Sequence, residues 1–185
     1  MSATTGRLLA VDWGDKRIGL AVSDELGMLA SAAGVITRRA GKRPPIAELM
    51  RRADELGISG YIVGLPINQL GAETARCVEV RAMAAKLVAR QSLPVRLVDE
   101  RFTTSAALRS IREQGGSTRG RKDDVDSLAA SILLEGVLRA SSQGVTLGEL
   151  VEAAPDPAPA MTPDAAPGDA PESAANAATP DPLVP

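Results

Sequence analysis

A chain of 185 residues with 44% hydrophobic content is long and apolar enough for one ordinary domain, and with only 2% aromatic residues its core must be aliphatic. It has no histidine and a single cysteine, which excludes Ser-His-Asp and Cys-His triads, nucleases with a histidine base, most zinc sites and any disulfide framework. The net charge of -2 is unevenly spread: residues 151–185 hold six acids and no Lys or Arg, and setting them aside leaves 21 bases against 17 acids, a body at +4 that is compatible with a polyanionic partner.

The opening MSATTGRLLAV has no long apolar stretch, and no segment is long enough to cross a bilayer. A cytoplasmic protein with no membrane partner is expected. Leu8–Asp12 reads as a short apolar strand ending in an acid. A tight turn at Gly14 and Asp15 follows, then a second strand in which Ile18, Leu20 and Val22 alternate with small residues. Met28–Ile36 reads as a third strand. AGKRPP is a basic loop whose prolines open a helix through Ile46, Leu49, Ala53 and Leu56, closed by Gly57. Tyr61–Gly64 reads as a buried strand running into LPINQLG, and residues 72–90 as a helix. Val95–Val98 is a strand leading to Asp99-Glu100-Arg101. Thr103 or Thr104 caps a further helix, residues 115–122 form a flexible basic loop, and a last helix spans about 124–139. Strand hairpins followed by alternating helices and strands describe a single α/β domain over 1–150, a mixed sheet covered on both faces. Residues 151–185 contain nine of the 13 prolines. They read as a disordered acidic tail, too poor in large apolar residues to repay its ordering entropy.

Three carboxylate positions stand at the ends of elements. Asp12 closes the first strand, Glu100 follows the last one with Asp99 beside it, and Asp126 lies in the first turn of the final helix among small and apolar neighbours. An acid in an apolar run costs several kcal/mol unless something pairs with it. Ligands of open α/β sheets collect at the carboxyl ends of strands. Without histidine, three such acids are best explained as a cage for Mg²⁺ or Mn²⁺, and two ions about 4 Å apart suit phosphodiester hydrolysis. Each acid also has a plain reading: Asp12 as a turn residue, Glu100 in an ion pair with Arg101, Asp126 favoured by the helix dipole. Asn68 is placed to position a phosphate or the attacking water, or simply to make a turn. Lys16, Arg17, Arg101, Arg119, Arg121 and Lys122 are candidates for phosphate contacts on nucleic acid, or ordinary solvated charges.

Four segments resemble one family in order and spacing: VDWGDKRIGLAVSD, VGLPINQLG, VDERFTT and KDDVDSLAASILLEGVL. They look like the YqgF/RuvX proteins across residues 7–140. That resemblance implies an RNase H-like fold and a hydrolase, a magnesium-dependent nuclease that matures the 5′ end of 16S rRNA precursors in ribosome biogenesis. Precursor particles are then possible partners, and a Holliday-junction resolvase-like DNA endonuclease is the alternative. By position it makes Asp12, Glu100 and Asp126 catalytic metal ligands with Asp99 as a companion. Trp13 departs from the smaller or tyrosine-like residue expected there. The first hairpin is also similar to the phosphate hairpin of sugar kinases and actin-like ATPases, which need a second domain that this chain is too short to supply. A non-catalytic RNA-binding or transcription-associated role is a third class, and monomer and homodimer both remain open.

Overall fold

The computed structural model describes residues 6–39, 43–102 and 122–152, with nothing assigned to the side chains of 102 and 122–126. The first apolar run becomes β1 (Arg7–Trp13), and the turn at Gly14 returns it as β2 (Arg17–Ser23), antiparallel with Asp12 opposite Gly19. Strand β3 (Ala30–Thr37) follows antiparallel to β2. It begins later than the expected Met28 because the Asp24 carboxylate captures the N–H groups of Met28 and Leu29 (2.7 and 3.0 Å), which keeps these residues in a turn.

Helix α1 (Ile46–Leu56) ends on Gly57, whose φ of 61° is the left-handed cap that glycine adopts without strain. Strand β4 (Ile58–Leu65) lies parallel to β1, and β5 (Val95–Asp99) parallel to β4, with α2 (Ala75–Arg90) between them. Helix α2 starts after the expected residue 72, whose N–H is held by Asn68 in the preceding loop. A short 3₁₀ turn, Glu100–Phe102, leaves β5. The last helix, α3 (Lys122–Ser142), starts two residues before the expected Asp124. The two-residue strand β6 (Glu149–Leu150) was not anticipated; it pairs antiparallel with β5, and Val151 N–H donates to Val95 O at 2.8 Å. The sheet order is β3-β2-β1-β4-β5-β6.

Side chains alternate across a sheet, and the core divides accordingly. Leu9, Val11, Ile18, Leu20, Tyr61, Val63 and Leu97 form one cluster with α1 and α2 residues such as Leu49 and Leu87. Ala10, Ala21, Ile62 and Val98 form another with Ala130, Leu133, Leu134 and Leu138 of α3. The sheet is therefore covered on both faces, as expected. No helix among the described residues is long and apolar enough to cross a membrane. The expected helix after Thr103, the basic loop up to residue 121 and the tail beyond Glu152 lie outside the described residues.

Candidate active site

The row Ala10, Ile62 and Val98 faces α3, and each of these residues is followed two positions on by a member of the next row: Asp12, Gly64 and Glu100. Continuing the register of Val11 on Val63 by one step sets Asp12 level with Gly64. Asp12 and Glu100 are both buried, each 4% exposed. The ground between them carries no side chain. A Cβ at residue 64 would overlap Oε1 of Glu100 and lie 3.1 Å from its Cδ, so the Glu100 carboxylate rests directly on the Gly64 backbone. On the other side of Asp12, its partner across the β1–β2 ladder is Gly19. Two buried acids thus sit at the carboxyl ends of β1 and β5 on a floor of glycine, with Arg17 two residues from Gly19 on the same face of β2.

Helix α3 supplies the opposite wall. Its Leu138 touches the β2–β3 turn, a Cβ on Gly27 lying 3.7 Å from Leu138 Cδ2. That turn is at the amino-terminal end of β1, so α3 runs antiparallel to β1 and starts at the strand ends that carry Asp12 and Glu100. Ala130, in one cluster with Ala10 and Ala21, lets the helix approach the sheet closely. Position 126 lies four residues before Ala130, about 6 Å along the axis toward the start of the helix; its side chain lies outside the described residues. Next to it, Ser127 is buried (5% exposed). Sequence reasoning missed Ser127 and Gly19, because only the packed helix and the strand register single them out; it read Gly64 as backbone open to a ligand, without its contact to Glu100.

The other candidates are distributed differently. Asp99 belongs by alternation to the α1/α2 face and chelates Arg101: its Oδ1 accepts from the Arg101 N–H (2.9 Å) and Nε (3.2 Å), and its Oδ2 from Nε (2.9 Å) and Nη2 (2.7 Å). The bonded carboxylate holds the Arg101 guanidinium pKa above its ordinary value. The Asn68 carboxamide oxygen accepts from Leu70 N–H (3.0 Å) and Ala72 N–H (2.8 Å), which builds the loop after β4. Lys16 is exposed at the hairpin tip, Lys122 opens α3, and Arg119 and Arg121 lie outside the described residues.

Behind Asp12 the hairpin is tied to α2. Trp13 Nε1 donates to Glu79 Oε1 at 3.2 Å, Arg38 stacks 4.9 Å from the Trp13 ring centroid, and Arg38 pairs with Glu79 and donates to Gly14 O at 2.7 Å. Arg76 of α2 pairs with Asp15 of the same turn. These contacts fix the turn that Asp12 enters.

A divalent ion with oxygen preference fits this donor set, two carboxylates held side by side at the strand ends. Among the described residues no group of three His, Cys, Asp or Glu side chains gathers, and the expected third acid, Asp126, falls outside that search.

The family profile described as "RuvX: Holliday junction resolvase" matches residues 6–140. The chain belongs to the RuvX family. The matched span includes Asp12, Glu100 and Asp126. A relative from Koribacter versatilis, named "Putative pre-16S rRNA nuclease", is 40% identical over 137 residues, 74% of this chain and 89% of its own. One of the same name from Paramagnetospirillum magneticum is 39% identical over 133 residues, covering 71% and 84%. Among solved structures, Thermus thermophilus RuvC aligns with 77% of this chain and 99% of its own at a TM-score of 0.51 and 12% identity. This RuvX-family chain therefore has the RNase H-like fold of the RuvC proteins.

Proposed function

We propose that this RuvX-family chain is a nuclease that hydrolyses phosphodiester bonds and acts on the precursor of 16S rRNA in the cytoplasm. The observation that carries the reading is the pair of buried acids, Asp12 and Glu100, set on the glycine floor at the strand ends. The names of the relatives support the substrate. Asp12, Glu100 and Asp126 would hold one or two Mg²⁺ or Mn²⁺ ions. When bound, such ions activate water and stabilise the leaving oxygen. The chain's own part is to hold the three acids on rigid elements, to keep the floor free of side chains, and to meet flanking phosphates with cations. Arg17 on the acid-bearing face and the basic run Arg119, Arg121 and Lys122 before Asp126 supply these.

The family's description favours a second reading, resolution of four-way DNA junctions, which needs two sites paired by a symmetric dimer. A cleavage assay with Mg²⁺ or Mn²⁺ separates the two. It compares a 16S rRNA precursor, a four-way junction and plain duplexes, using wild type beside Asp12→Asn. Metal-dependent cut of the precursor that falls to background in Asp12→Asn is expected. A cut confined to the junction by a dimeric protein would select the second reading. No cleavage of any substrate would leave a binding protein.

A further inference from the structure

Asp99 and Glu100 are adjacent acids at the end of β5, yet the structure uses them differently. Glu100 is buried against Gly64 on the α3 face, whereas both oxygens of Asp99 are committed to Arg101 through four hydrogen bonds of 2.7–3.2 Å. The guanidinium does not merely trail into solvent. Its Nη1 lies over Gly71, where a Cβ would come within 3.2 Å of it. Gly71 has a φ of +82° and sits in the loop that the Asn68 side chain ties together. Asn68 shapes the loop, the loop provides a seat without a side chain, and Asp99 holds the arginine on it. The Arg101 side chain remains 37% exposed. An ion pair whose guanidinium stays in contact with solvent contributes little to stability, so the fold gains little from it. A preorganised guanidinium one residue from a buried acid instead suits a phosphate, which its planar fork matches.

We infer that Arg101 is a phosphate anchor for the nucleic-acid backbone beside the acid pair, and that Asp99 is its positioning residue rather than a ligand of the ion. This rests on the nuclease reading for the identity of the polyanion, but its test does not depend on hydrolysis. The chelate uses Nε and Nη2 while Nη1 packs on the Gly71 loop, so the guanidinium is held in one orientation. Fixing it before binding avoids the entropy of ordering a long side chain when the strand arrives.

Binding of a fluorescein-labelled RNA hairpin, and of a DNA hairpin of the same sequence, is measured in EDTA over a range of salt. Arg101→Ala should weaken affinity about tenfold and lower the salt slope by the equivalent of about one phosphate contact. Asp99→Asn should weaken it severalfold in the wild-type background and have no further effect in Arg101→Ala. Arg101→Lys should restore part of the loss. In the cleavage assay Asp99→Asn should raise KM while leaving kcat and the half-maximal Mg²⁺ concentration unchanged. Thermal melting of each variant confirms that it is folded. Asp99→Asn that binds like wild type without metal yet needs more Mg²⁺ would make Asp99 an ion ligand and overturn the proposal. So would unchanged affinity in Arg101→Ala, or failure of the wild type to bind either hairpin. Wild-type binding without cleavage would sink only the nuclease reading.

Discussion

Residue 64 has no room for a methyl group, because the Glu100 carboxylate occupies the space above it. Gly64→Ala should drive that carboxylate off the floor and abolish metal-dependent cleavage. Forcing an extra methyl into packed surroundings also destabilises, by about 1–3 kcal/mol. Cleavage rates and melting curves read the two effects separately; a fully active Gly64→Ala protein would show that Glu100 can work from elsewhere. Asp12 was legible in the sequence as an acid inside an apolar run, and Glu100 as an acid at a strand end. Gly64 was visible only as one glycine in a turn-like motif, since its meaning depends on β5 lying beside β4. Asn68 shows the opposite difficulty. A short polar side chain after a strand serves a phosphate or its own backbone equally well in sequence, and here its carboxamide oxygen serves the backbone.

Three elements meet in one polar chain inside the α1/α2 face. The Tyr61 hydroxyl of β4 donates to the Gln91 side chain after α2, and Gln91 Nε2 donates to Asp54 of α1 at 2.9 Å. Burial, reinforced by the negative charge of Asp54, pushes the Tyr61 pKa above its ordinary value near 10. The folded protein therefore keeps the phenol protonated at pH values where the unfolded chain loses it. The contribution is fully present below about pH 10 and is lost as pH rises through the folded pKa. Stability should fall on an alkaline limb above about pH 10 in wild type, and Tyr61→Phe should flatten it. Parallel alkaline limbs in the two proteins would show that another group controls it. Most element boundaries were readable because local chemistry sets them: Pro44 and Pro45 precede α1 and Gly57 stops it. Strand β6 was not readable. Two exposed residues carry no periodicity, and their pairing depends on Gly148 (φ +81°) passing close to the Leu97 carbonyl.

At the scale of the whole molecule, charge is divided between the body and residues 151–185. The two-faced sheet was legible because its apolar runs require cover on both sides; the seating of α3 on the sheet was not, since it is set by contacts between residues distant in sequence such as Ala10, Ala21 and Ala130. Removing residues 153–185 should leave the melting temperature unchanged, since these residues contribute few large apolar side chains. They carry five acids and no base. Their removal should tighten nucleic-acid binding at low salt, and the gain should fade as salt screens it. Equal affinities at low ionic strength would show that this segment does not compete.

Trp13 is the one tryptophan of the chain. It is 1% exposed, stacked under the Arg38 guanidinium, bonded to Glu79, and joined by a peptide link to Asp12. Its emission therefore reports on one place, the turn that carries the first acid of the candidate site. An indole held between a cation and a carboxylate responds to small changes in the local field, so a divalent ion arriving at Asp12 should shift its spectrum. Titration with Mg²⁺ should give a saturable change that Asp12→Asn removes, a signal that needs neither label nor substrate.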